Sequence, residues 1–203
     1  MPTRSQTKRW IVVLDMKKKS ILITGVAGTG KTSLSRKLNE MGFKAYDMDD
    51  YPGLFTMFDK RTGEPVVDHD NTDLEKVGAM DWVCDTEKLA SLITHEPDDI
   101  AFYCGNASDM DTILPFFDSV ILLKIGQETM RHRLTTRTEN DFGRTAEIQD
   151  WIMKWKHLYE NEMEEKGAIV VDAHQSLDDI AKEVIQKATN ADALANEAMD
   201  RGT

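Results

Sequence analysis

Residues Gly25-Val26-Ala27-Gly28-Thr29-Gly30-Lys31-Thr32 fit the pattern G-x-x-x-x-G-K-[ST] in full. No other segment constrains the fold as much. Its glycines let a backbone curl until several N–H groups converge on one centre. A helix starting there adds the positive end of its dipole, so the loop suits a phosphate chain. Lys31 reaches the terminal phosphates of a nucleotide, the Thr32 hydroxyl suits Mg²⁺, and Ser33 extends the set into the first helical turn. The pattern has meaning only between a strand and a helix. Ser20-Ile-Leu-Ile-Thr24 is an apolar run suited to a buried parallel strand, and Lys31 to Glu40 carries Leu34 and Leu38 four apart with Gly42 as a stop.

Strand-like and helix-like segments alternate along the rest of the chain. Lys44–Asp47, Ile100–Cys104, Val120–Ile125 and Ala168–Asp172 read as strands. Asp85–His95 and Gln127–Arg137 read as helices, and a stripe from Ile148 through Trp151, Ile152, Trp155 and Tyr159 to Met163 reads as the core face of another. Ser176-Leu177-Asp178-Asp179 opens a last helix to about Ala188, and a tail follows from Asn190. Alternation of this kind predicts an α/β fold with a mainly parallel sheet. Residues 1–19 read as an extension, 20–188 as the folded domain and 189–203 as the tail. Residues 51–82, rich in Asp, Gly and Pro, read as an insertion over the sheet edge.

Composition narrows the function classes. A net charge of −11 argues against a general nucleic-acid binder, which needs a basic face. Two cysteines, Cys84 and Cys104, form neither a CxxC pair nor a zinc cluster and suit a reduced, cytoplasmic protein. No apolar run approaches a membrane span, and the five apolar residues from Trp10 to Leu14 are too few for a signal-peptide core.

Three clusters extend the phosphate loop towards chemistry. Asp47-Met48-Asp49-Asp50 follows the second strand, at the end that borders the ligand crevice of an open parallel sheet. Asp47 and Asp49 share one face of an extended chain, so one can hold Mg²⁺ while the other takes the proton of an attacking hydroxyl; a helix cap or solvated turn is the structural alternative. Arg131, Arg133, Arg137 and Arg144 follow the fourth strand. Arg133 and Arg137, four apart, can clamp a transferring phosphoryl group as a segment of about 131–147, flexible at Phe142-Gly143-Arg144, closes as a lid. Otherwise they form a solvated basic helix paired with Glu128, Glu139 and Asp141. Cys104-Gly105-Asn106 ends the third strand, which lacks the Asp-Glu pair of a mechanical ATPase; no Asn-Lys-x-Asp guanine-reading motif occurs. Tyr51 and Trp82 can stack on a planar substrate or pack the insertion onto the core. Asp68-His69-Asp70 reads as a solvated turn rather than a metal triplet.

In the order of the phosphate loop, Asp47-Met48-Asp49, Gly105 and the arginines from Arg131 to Arg144, the chain resembles nucleoside monophosphate kinases and shikimate and gluconate kinases. The resemblance covers residues 20–188. It implies a three-layer α/β/α P-loop NTPase fold with a five-stranded parallel sheet in order 2-3-1-4-5, a lid, and a substrate-binding insertion. It also implies that Thr32 and Asp47 hold Mg²⁺ and that Asp49 contacts the acceptor, with Asp50, Tyr51, Trp82, Gly105, Asn106 and Arg144 nearby. Ala173 and His174, after the fifth strand, fall where such kinases contact adenine, although His174 equally suits an exposed loop. Two departures leave the substrate open: Gly105 is followed by Asn106 instead of further glycines, and Cys104 stands where nucleotide kinases carry an Asp.

The expectation is a cytoplasmic kinase moving the γ-phosphoryl of Mg·ATP to a hydroxylated metabolite, nucleoside or nucleotide. It would act without nucleic acid or membrane, as a monomer or homodimer. A P-loop ATPase or an ATP-binding regulator acting on a protein partner stands as the alternative.

Overall fold

Ile21, Leu22 and Ile23 are fully buried, so the first strand has protein on both faces, as a central parallel strand must. The computed structural model describes residues 18–67 and 70–200, with side chains described as far as Thr189. The strands are β1 Lys19–Thr24, β2 Lys44–Asp47, β3 Phe55–Asp59, β4 Met80–Cys84, β5 Ile100–Cys104, β6 Ser119–Lys124 and β7 Ile169–Asp172. The helices are α1 Lys31–Glu40, α2 Leu74–Gly78, α3 Thr86–Thr94, α4 Gln127–Thr136, α5 Ala146–Glu165 and α6 Leu177–Asp200, with a short 3₁₀ turn at Leu114–Phe116.

Five strands form a parallel sheet in the order β2-β5-β1-β6-β7. The order 2-3-1-4-5 therefore needs correction to 2-5-1-6-7. The two added strands lie in the insertion, where β3 and β4 pair antiparallel as a hairpin. Residues 51–82 are thus not a bare loop: their turn-rich composition hid the alternation of Met80, Trp82 and Cys84 and the short run after Phe55.

The pleat sends alternate side chains to opposite layers. Ile21, Ile23, Phe102 and Leu123 pack with Leu34 and Leu38 of α1, Met130 and Leu134 of α4, Ile148 and Ile152 of α5, and Ala181 and Val184 of α6. Leu22, Tyr103 and Leu122 pack with Leu89 of α3 and with Leu54, Phe55 and Cys84 around the hairpin. Each fully buried Leu or Ile side chain contributes about 1.5–3 kcal/mol relative to exposure.

Boundaries differ modestly from expectation. The last helix runs on to Asp200, through the residues expected as a tail. The helix expected to reach Arg137 ends at Thr136, because Arg137 turns extended, with φ −66° and ψ 146°. In the segment expected as a lid, 131–147, α4 gives way to an irregular loop and then to the start of α5. Gln149, buried on α5, donates to the carbonyl of Gly143 at 2.9 Å and to Thr135 Oγ1 at 3.1 Å, which ties that loop down. Asp68 and His69 lie outside the described residues, as do residues 1–17. No described helix is long and apolar enough to cross a membrane.

Candidate active site

The loop between β1 and α1 reverses direction tightly. Gly25 has φ +150°, and a Cβ there would sit 2.6 Å from the Leu123 carbonyl oxygen. Gly28 has φ +86°, and its Cβ would press on Leu134 and Met130 at 3.2 and 3.3 Å. Only glycine meets both requirements, a left-handed backbone and close approach. Thr29 closes the curl by donating from Oγ1 to the Val26 carbonyl at 2.9 Å.

Lys31 folds back over this loop. Its Nζ donates to the carbonyls of Gly25 at 2.7 Å and Val26 at 3.4 Å. Burial lowers its pKa; Asp49 and then Asp47 act against that by stabilising the ammonium. The two aspartates named from sequence are therefore within electrostatic reach of the phosphate-loop lysine.

The ends of β2, β5 and β1 are fixed together by backbone. Met48 donates to the Cys104 carbonyl at 2.9 Å, and Gly105 donates to the Ile23 carbonyl at 3.1 Å. A Cβ on Gly105 would lie 2.8 Å from Met48 Cβ, so the close approach itself demands glycine. Asp47 Oδ1 accepts from the Asp49 amide at 3.3 Å, while Asp47 Oδ2 is buried with no hydrogen-bond partner. A buried carboxylate oxygen without a donor is costly unless a cation meets it. No cluster of three or more metal-ligating side chains exists among the described residues. Mg²⁺ suits such a place, since it commonly takes one or two protein oxygens and completes its shell with phosphates and water. Thr32, at the start of α1, and Asp47 fit that donor set.

Asp49 stands at the mouth of the crevice. Its Oδ1 accepts from Trp82 Nε1 at 3.1 Å. The protein packed around it raises its carboxyl pKa; Lys31 and the Trp82 bond pull in the other direction. Trp82 stacks on Phe55, with ring centroids 5.1 Å apart, and exchanges hydrogen bonds with Ser108 just after β5. Asp50 is exposed beyond Asp49, and Tyr51 packs edge-on to Tyr46.

The arginines separate. Arg133 points its guanidinium along the outside of the phosphate loop, donating to the carbonyls of Thr29 at 3.3 Å and Ala173 at 2.9 Å. Arg137, beyond the end of α4, donates to the Phe142 carbonyl, and its Nε is buried without a partner. Its positive charge is close enough to act on Lys31. Burial and neighbouring Arg144 both lower its pKa. Arg144 is exposed and donates to the Arg137 carbonyl at 3.3 Å. Arg131 turns away and pairs with Asp150 at 2.5 Å. Four-residue spacing thus does not put Arg133 and Arg137 at the same task, because the helix stops between them.

Behind the loop lies a pocket of about 210 Å³, lined by Thr29, Gly30, Ser33, Arg133, Gln175 and Leu177 among others. His174 precedes Gln175 of that lining in the chain. Its Nε2 accepts the Gly126 amide N–H at 2.9 Å, which places the ring proton on Nδ1, facing Asp172 Oδ1 at 2.7 Å. His174 thereby ties the loop after β7 to the start of α4.

One residue near the crevice escaped the sequence reading. Tyr159, which the sequence presents only as part of the core stripe of α5, places its hydroxyl 2.6 Å from Thr24 Oγ1 and 3.4 Å from Asn106 Oδ1. Its helical spacing from Trp151 and Trp155 carries no sign of that polar contact.

A family described as "AAA domain" matches residues 21–154, more than half of the chain. No curated protein matches. Among solved structures, a gluconokinase from Sinorhizobium meliloti 1021 is similar at 15% identity and a TM-score of 0.52, over 91% of this chain and 98% of its own. A shikimate kinase from Acinetobacter baumannii in complex with shikimate is similar at 18% identity and a TM-score of 0.51, over 87% of this chain and 96% of its own. A deoxyadenosine kinase from M. mycoides with bound dATP is similar at 15% identity and a TM-score of 0.51, over 84% of this chain and 99% of its own. At such identities the likeness concerns fold alone. With the phosphate loop, the parallel sheet and the matched span of 21–154 together, the chain belongs to the AAA-domain family and has the fold of the small-molecule P-loop kinases.

Proposed function

We propose that this protein is an ATP-dependent phosphotransferase that moves the γ-phosphoryl of Mg·ATP to a hydroxyl of a small soluble molecule in the cytoplasm. The observation that supports this most is that β2, β5 and β1 end together beside the phosphate loop, which sets Asp47 and Asp49 within electrostatic reach of Lys31. A nucleotide-binding loop alone needs only the lysine. A carboxylate held at the crevice mouth by Trp82 adds a proton acceptor on the far side of the phosphate chain.

The loop amides and Lys31 hold the β- and γ-phosphates, and Lys31 gives up its carbonyl contacts to do so. Thr32 and Asp47 hold Mg²⁺, whose charge, when bound, offsets that of the phosphate oxygens. Asp49 orients the acceptor hydroxyl and takes its proton. Arg137, near Lys31 and with an unused buried Nε, stabilises the equatorial oxygens of the transferring group. Arg133 lines the pocket that takes the base and is held on the Ala173 carbonyl, with His174 next in the chain. Residues 51–82 cover the acceptor and 131–147 close as a lid, with Arg144 following that loop. Tyr51, Trp82, Gly105 and Asn106 line the acceptor side, and Asp50 stands at its rim.

The test is ATP consumption with and without a panel of hydroxylated metabolites, nucleosides and nucleotides. ADP release that depends on an acceptor supports the proposal. Turnover indifferent to every acceptor and raised only by a protein partner refutes it.

A further inference from the structure

Charge is unevenly distributed between the two halves of the site. Residues 44–118, from β2 to the turn before β6, hold 5 lysines and arginines against 18 aspartates and glutamates, a net of −13. All other residues hold 20 against 18, a net of +2. Leaving out Lys44, Glu96, Asp98, Asp99 and Asp118, which lie at the strand starts away from the crevice, the stretch still holds 4 cations against 14 carboxylates.

The few cations of this stretch are engaged. Lys44 sits over the Tyr46 ring at 4.7 Å, at the start of β2 and away from the crevice. Lys60 donates to the Gly78 carbonyl at 2.9 Å and pairs with Asp81. Lys76 pairs with Asp70 and Asp73, and Lys88 donates to the Pro52 carbonyl at 2.6 Å. Arg61 lies in the turn after β3, beside Asp59. Among the described residues, Lys31 and Arg133 stand at the phosphate loop, Arg137 lies close enough to act on Lys31, and Arg144 is held on the Arg137 carbonyl at 3.3 Å, so the cations near the crevice gather on the side of the donor's phosphates.

A carboxylate or phosphate on the acceptor would enter a field of its own sign, and among the described residues no unengaged cation of this stretch stands ready to replace its water. What the acceptor side does offer is a carboxylate, Asp49, bonded to an indole that stacks on Phe55. From this we infer that the phosphoryl acceptor is an alcohol bearing no carboxylate or phosphate group. The inference rests on the kinase reading above and narrows it.

The experiment uses the full chain with Mg·ATP and measures ADP release with matched pairs: deoxyadenosine against its monophosphate, and glucose against gluconate. A small-molecule cell extract, split on an anion-exchange resin into flow-through and retained fractions, is assayed beside them. The expected result is acceptor-dependent release with the uncharged members or the flow-through, exceeding that with the anionic counterparts by at least about tenfold. Release driven by an anionic member or by the retained fraction overturns this inference and leaves the kinase reading standing. ATP binding without acceptor-dependent release from either fraction overturns the kinase reading, and this inference falls with it.

Discussion

Replacing Gly105 with alanine tests how tightly the crevice is built. The added Cβ would lie 2.8 Å from Met48 Cβ and 3.2 Å from Met48 Sδ. Carbon atoms in contact prefer about 3.5–4.0 Å, so the shortfall is about 0.7–1.2 Å. The sulfur can swing aside, but Met48 Cβ is fixed to a backbone that donates to the Cys104 carbonyl at 2.9 Å. Relief therefore requires the ends of β2 and β5 to part. Overpacking of this kind costs about 1–3 kcal/mol. At about 2–4 °C per kcal/mol for a chain of this size, the thermal midpoint should fall by about 2–12 °C. Asp47 and Asp49 would move with β2, and a displacement of about 1 Å at a catalytic group can cost about a hundredfold in rate. The assay is thermal unfolding followed by circular dichroism, with phosphoryl transfer measured well below the midpoint. Gly78→Ala is the control, since a Cβ there meets nothing within 4 Å at the end of α2. An unchanged midpoint together with full transfer in Gly105→Ala would refute the close approach and the reasoning built on it.

Asp49→Asn should leave ATP affinity near that of the parent and lower transfer by about 10²–10⁴-fold, as single-turnover ADP formation would report. The folded state raises the Asp49 pKa although the residue stays exposed to solvent, so ionising this carboxyl above its unfolded pKa costs only a little stability; Asp49→Asn should raise the thermal midpoint slightly at pH 7, and a clear fall would contradict the assignment. Trp82→Phe removes a bond that holds the Asp49 pKa down, so the acidic limb of the pH–rate profile should shift to higher pH, visible in kcat/KM across pH. Arg133→Ala should mainly weaken nucleotide binding and Arg137→Ala mainly slow transfer, a division that titration calorimetry and transfer kinetics can separate.

The phosphate loop and the parallel strands were legible because each rests on a local rule. Gly25 to Thr32 is contiguous, Ile21 to Ile23 is apolar on both faces, and Leu34 and Leu38 mark one side of α1. The hairpin was not legible, since Phe55–Asp59 and Met80–Cys84 are short and the pairing that stabilises them spans a turn-rich segment. Asp47 and Asp49 could be named from alternation after β2. The bond from Trp82 to Asp49 joins residues 33 apart in sequence, and no spacing encodes it. The parting of Arg133 from Arg137 depends on where α4 stops, and the residues between them carry no breaker. Tyr159 was hidden for the opposite reason: its ring belongs to an apolar stripe, and only the hydroxyl departs from it.

The central claim is that the loop at Gly25 to Thr32 grips the phosphates of a nucleotide. Titration calorimetry of Mg·ATP into the intact protein, beside Lys31→Ala, tests it most directly. One nucleotide should bind per chain, and loss of one charged donor worth about 1.5–3 kcal/mol should weaken affinity by about 10- to 150-fold. An absence of binding by the parent protein, or equal affinity in the two, would contradict the account.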